Sequence, residues 1–142
     1  EEDIYKKVIE ENILLKTFMH AGMMHALTDE EMAIYTKPFS TPESRHVLLQ
    51  YVNELPFGKK NNRVIDIVDT YSKFLQESTI PKLLLYSIPG FSTSIGSISW
   101  ARQHMPNLLI KDIGTGLHFA QETSPEAFAN TIIAWEKTAL PN

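Results

Sequence analysis

A chain of 142 residues suits one domain, and its 43% hydrophobic and 21% charged content is that of a folded globular protein, not a disordered one. A net charge of −4 with no run of Lys and Arg argues against a nucleic-acid partner, and the absence of cysteine excludes disulfides and thiolate metal sites, as suits the cytoplasm. No apolar stretch approaches the ~18 residues that span a bilayer and no signal-peptide pattern opens the chain, so no membrane partner is expected. The chain begins Glu1-Glu2-Asp3 and enters a helical pattern directly, which suits either trimming or a piece of a longer protein.

In chain order, the first half reads as helices. Over residues 3–18 the apolar positions Ile4, Val8, Leu15 and Phe18 recur at helical spacing. Thr28-Asp29-Glu30-Glu31 forms a capping box that opens a short helix through Met32 and Tyr35. Thr41-Pro42-Glu43 is a second start signal, with Pro at the first helical position, leading into Val47, Leu48 and Tyr51. A turn-rich gap from Pro56 to Asn62 precedes the clearest helix, in which Val64, Ile67, Val68, Tyr71, Phe74 and Leu75 form one apolar stripe.

After Pro81 the pattern changes. Leu83-Leu84-Leu85-Tyr86 is a short apolar run, as expected of a strand buried on both faces, and it ends in Ser87-Ile88-Pro89-Gly90. A helical stretch around Ile98 to Arg102 follows. Leu108-Leu109-Ile110 is a second apolar run ending at Asp112, and Ser124-Pro125-Glu126 caps a last amphipathic helix through Phe128, Ile132 and Trp135. Strand, helix, strand, helix implies a parallel pair. Two parallel strands need further partners and covered faces, so the pattern reads as the end of an α/β sheet whose beginning lies elsewhere.

Five histidines could carry chemistry. His20 and His25 flank a Met-rich stretch, but their spacing of five does not put both rings on one helical face; a flexible link with gap-filling Met is the better reading, and no metal is expected. His46 and His104 have polar helical neighbours and read as surface. His118 differs. It follows an apolar strand by six residues, in a loop with Gly114 and Gly116, at the carboxyl end where α/β proteins place ligands. A base needs a nucleophile, however. The loop Pro89-Gly90-Phe91-Ser92-Thr93-Ser94 offers no carboxylate or thiol, Ser97 lacks the setting of a nucleophile, and no G-x-S-x-G elbow is present.

Three segments carry a resemblance. Leu27-Thr28-Asp29-Glu30-Glu31-Met32 through Tyr35, Pro38-Phe39, Pro42 and Arg45, with Asn53-Glu54-Leu55-Pro56, looks like the cap of the haloalkane dehalogenases. Pro81-Lys82-Leu83-Leu84-Leu85 through Pro89-Gly90 looks like their seventh strand, and Asp112 through Gly116-Leu117-His118-Phe119-Ala120-Gln121-Glu122 like the eighth strand's end and the histidine loop. From about Asn12 to Leu140 the chain thus resembles the C-terminal half of these α/β-hydrolases: a helical cap region with its return helix over residues 1–80, then the β-α-β-α end of the parallel sheet over residues 81–142.

The resemblance implies a mechanism. An aspartate nucleophile displaces halide from carbon, and a histidine oriented by a second carboxylate activates water to hydrolyse the resulting ester, with two side-chain donors holding the halide. It implies His118 as the base, Phe91 and Phe119 at the pocket mouth, and Leu14 and Leu55 lining the tunnel from the cap. No cofactor is implied; the partners are a small halogenated hydrocarbon and water, together with the missing N-terminal half of the fold or further copies of the chain. Nucleophile, acid and halide donors all fall outside these 142 residues, so the chain alone is expected to be inactive. The lack of Asp or Glu after the seventh strand fits the subfamily whose acid is a glutamate after the sixth, and counts against the epoxide hydrolases. Coelenterazine luciferases share the cap and histidine loop and stand as an alternative, as does a non-catalytic, self-associating fragment.

Overall fold

The computed structural model describes residues 2–56 and 63–139. It divides into two compact units, Glu1–Ala21 with His25–Val68 and Gly22–Met24 with Asp69–Asn142. Beyond Pro56 itself, the expected turn-rich gap lies outside the described residues.

The first unit is helical. It opens with α1 (Glu2–Tyr5), a π-helical turn (Lys6–Glu10), a second π-helical turn (Leu14–Phe18) and α2 (Met19–Ala21). The single helix expected over residues 3–18 is therefore broken, at Asn12, whose φ of 55° lies in the left-handed region that asparagine tolerates better than most residues. The π turns also displace the apolar face from a 3.6-residue period. Val8, Ile9, Leu15 and Met19 are buried, while Ile4 and Phe18, read as part of the same stripe, stay exposed.

The capping box forms as expected at the start of α3 (Asp29–Thr36). Thr28 Oγ1 accepts the Glu31 N–H at 3.2 Å, and the Glu31 carboxylate accepts the Thr28 backbone N–H at 2.8 Å and its hydroxyl at 3.0 Å. Two 3-10 turns, Lys37–Phe39 and Glu43–Arg45, then lead into α4 (His46–Glu54). The second start signal thus acts one turn early: Thr41 Oγ1 accepts the Ser44 N–H at 3.4 Å, inside the 3-10 turn and ahead of the α-helix.

Arg45 ties these pieces together. Its guanidinium donates to the carbonyls of Ile9 (2.6 Å), Phe39 (2.9 Å) and Ser40 (3.1 Å), with a longer contact to Glu10 (3.4 Å). The planar fork meets the open end of the first π turn and the end of the first 3-10 turn at once, which a compact ammonium cannot do.

α5 (Arg63–Glu77) spans the division between the units. The second unit continues with β1 (Lys82–Pro89), α6 (Ile95–His104), β2 (Leu108–Gly116), a short α7 (Ala120–Thr123) and α8 (Pro125–Ala139). Among the described residues β1 and β2 form a two-stranded parallel sheet, joined through α6 as the sequence predicts. Lys82 is buried at the strand's start and donates to the carbonyls of Ser78 (2.6 Å), Ile80 (3.1 Å) and Pro106 (2.9 Å), so its charge is met by three backbone dipoles. The apolar stripe of α5 forms on a helix as expected, but Ile67, Tyr71 and Phe74 remain 51%, 50% and 56% exposed.

Two predictions follow from the first unit. Arg45→Lys should destabilise the chain by about 2 kcal/mol, since a hydrogen bond to a charged group is worth roughly 1.5–3 kcal/mol and one or more of these is lost; an unchanged urea midpoint would contradict this. Glu31 is held below the ordinary carboxylate value of 4.5, first by the Thr28 backbone N–H and then by its hydroxyl. A lowered folded-state value means that its contribution is complete above 4.5 and fades as pH falls through the lowered value. Amide-exchange protection at Thr28 should therefore drop below that range, while protection in β2 persists.

Candidate active site

The site is built where the two strands end. From Lys82↔Leu108 to Tyr86↔Asp112 the strands pair one to one, but the next pairs are Ile88↔Thr115 and Pro89↔Gly116, so β2 carries one extra residue there. Asp112 Oδ1 accepts the Gly114 N–H at 2.7 Å, and Gly114 has a φ of 93° that side chains rarely adopt. This bulge lets β2 run on to Gly116. The strand thus extends past Asp112, where its apolar run stops, and His118 follows its end by two residues rather than six. β1 likewise continues through Ser87 and Ile88 to Pro89.

Both strand ends are locked by close backbone packing. The Gly90 N–H donates to the Gly116 carbonyl at 2.9 Å, and Ser87, buried, places its side chain where a β-carbon on Gly116 would sit at 2.9 Å. On the other side of the histidine, the Phe119 N–H donates to the Gly22 carbonyl at 2.9 Å. A β-carbon on Gly22 would stand 2.7 Å from the Phe119 ring and 3.1 Å from His118 Cβ. Met23, beside it, is buried. Within the stretch read as a flexible link, Gly22 is thus packed against Phe119 and His118.

The His118 ring lies edge-on to two phenylalanines, with centroid distances of 5.3 Å to Phe91 and 4.8 Å to Phe119. Its Nδ1 is 3.2 Å from Ser92 Oγ. A cleft of about 170 Å³ opens beside it, lined by Tyr86, Phe91, Ser92, Leu117, His118 and Phe128 among others, with no Asp, Glu, Lys or Arg among the described residues of its wall. Of the residues expected to bind substrate, Phe91 faces this cleft, while Phe119 packs on His118 and above Gly22. Leu14 and Leu55 belong to the first unit, in the second π turn and at the C-cap of α4, both half-buried. His20 and His25 are exposed, and among the described residues no group of three His, Asp or Glu comes together to hold a metal ion. No helix among them is long and apolar enough to cross a membrane.

Chemically, the arrangement presents an imidazole with fixed surroundings at the carboxyl end of a parallel strand, open to an uncharged cleft. That suits proton transfer to and from water or a bound group. Sequence reading missed Gly22, Ser92 and Asp112. The available signals were a glycine between apolar residues, a hydroxyl in the loop opposite the histidine, and an Asp two residues before a Gly. Gly22→Ala should push Phe119 and His118 out of place and destabilise the second unit by about 1–3 kcal/mol, as overpacking does. Unaltered His118 and Phe119 ring shifts in the NMR spectrum of this variant would show the contact to be dispensable.

No family model matches the chain. It is 32% identical over 128 residues to a haloalkane dehalogenase of Agrobacterium fabrum, an alignment that takes in 90% of this chain and 42% of the relative. Among solved structures, it superposes with a TM-score of 0.86 on the haloalkane dehalogenase DatA from Agrobacterium tumefaciens, at 30% identity over 95% of this chain and 46% of that one. The haloalkane dehalogenase DbeA from Bradyrhizobium elkani gives a TM-score of 0.90 at 27% identity, again over 95% of this chain and 46% of the other. The chain spans less than half the length of the relatives it matches. Over that span its sequence is similar to, and its fold matches, those of haloalkane dehalogenases.

Proposed function

We propose that these 142 residues serve a hydrolase of carbon–halogen bonds, and that His118 is its water-activating base. The observation that carries the reading is the setting of His118: an imidazole just past the end of a parallel strand, clamped by Phe91 and Phe119 and open to an uncharged cleft. In this mechanism an aspartate displaces halide from a small haloalkane and is left as an alkyl ester. His118 then takes a proton from water, the hydroxide equivalent attacks the ester carbonyl, and the alcohol leaves with the aspartate regenerated. The base and the cap residues Leu14 and Leu55 come from this chain. The nucleophile, the acid and the halide donors are assigned to residues outside it; among the described residues that line the cleft there is no carboxylate.

The half-exposed stripe of Ile67, Tyr71 and Phe74 supports a partner that covers it, in the first instance the remaining half of the same fold. Among the described residues β1 pairs on one side only, and its other edge supports the same partner or, failing it, self-association of the chain. The 142 residues alone are accordingly assigned no turnover.

Halide release from brominated and chlorinated alkanes by the full-length protein tests this reading. His118→Gln should lower steady-state turnover by about 10²–10⁴-fold, the usual contribution of a positioned base. Wild-type rates in that variant would refute the role. No halide release, with oxidation of coelenterazine instead, would transfer the chain to the luciferase-like alternative, and release by the 142-residue chain alone would overturn its assigned inactivity.

A further inference from the structure

We propose that Asp112 is a positioning residue for His118 that acts through the main chain, its carboxylate holding the β2 bulge in the register from which the histidine loop reaches the cleft. The inference rests on reading His118 as the base, and it leaves the orientation of the imidazole ring to the second carboxylate of the mechanism, assigned to residues outside this chain. Between the pairs Tyr86↔Asp112 and Ile88↔Thr115, Ser87 stands alone opposite two residues, Ile113 and Gly114. Ile113 is buried and lines the cleft with His118, so packing fixes that half of the bulge. Gly114 has no such support. A β-carbon there would meet nothing within 4 Å, so its φ of 93° is not imposed by close packing. Glycine adopts φ of either sign about equally well, and the bond that Asp112 Oδ1 accepts from the Gly114 N–H at 2.7 Å selects this one. Asp112 itself is exposed and is not part of the cleft wall, so it reaches His118 only through the strand. Loss of the bond lets the unbulged register compete, and a one-residue step turns the side chains that follow, His118 included, to the opposite face.

Rapid quenching of the full-length protein after mixing with a bromoalkane, read by protein mass, follows formation and decay of the alkyl ester as separate steps. Asp112→Ala should leave ester formation at the wild-type rate and slow ester decay by about five-fold, the equivalent of one net hydrogen bond. Asp112→Asn, which keeps a side-chain carbonyl to accept the Gly114 N–H, should restore decay. Gly114→Ala, which opposes the positive φ without meeting any neighbour, should slow the same step. Ester decay unchanged in Asp112→Ala, or an equal loss of both steps, as general loosening of the fold would give, would overturn the proposal. His118→Gln is the reference: wild-type turnover there removes the base assignment and this proposal with it. Turnover lost there, with ester decay unchanged in Asp112→Ala, removes the positioning role alone.

Discussion

The extra residue in β2 is the constraint on which the placement of His118 depends. In a regular ladder each single-residue step turns the following side chain to the opposite face. The bulge between Asp112 and Thr115 makes that step once, under the control of the Asp112 carboxylate and the positive φ of Gly114. Past it the strands pair again at Pro89 and Gly116, and the Gly90 N–H closes on the Gly116 carbonyl. The chain therefore leaves β2 at a fixed point and direction, with His118 two residues on.

The loop beyond that point is held by main-chain hydrogen bonds and by side chains seated against glycines. Gly22 leaves room for the Phe119 ring, and Gly116 for the Ser87 side chain, at under 3 Å from where a β-carbon would be. The hydrophobic core is small: in the second unit Met23, Ala101 and Ile113 are the buried apolar residues among those described. Large apolar side chains on α5 stay about half exposed, and each forgoes on the order of 1 kcal/mol of burial stabilisation. A surface of that kind fits the proposed assembly with the rest of the hydrolase fold.

The elements were legible where local chemistry decides them. The capping box at Thr28, the Pro125 start of α8 and the parallel pairing through α6 all follow from side chains acting within a few residues or from connection length. Asn12 was not legible as a break, since a left-handed residue inside a helical pattern has no apolar signature. Strand ends were misplaced because apolar runs report burial, whereas β2 past Asp112 is carried by hydrogen bonding and a glycine bulge. At the site, His118 stands out from its loop pattern and Phe91 only through the resemblance, and both line one cleft. Gly22 does not stand out, because its contact with Phe119 joins residues far apart in sequence.

In the proposed mechanism His118 acts on an ester formed with a nucleophile it does not itself supply. Intact mass measurement of the full-length His118→Gln variant after exposure to a bromoalkane tests this most directly. One added alkyl group per protein is expected, stable for want of a base, with no accumulation in the wild type. A variant that carries no alkyl group, or that turns the bromoalkane over as fast as the wild type, would contradict it.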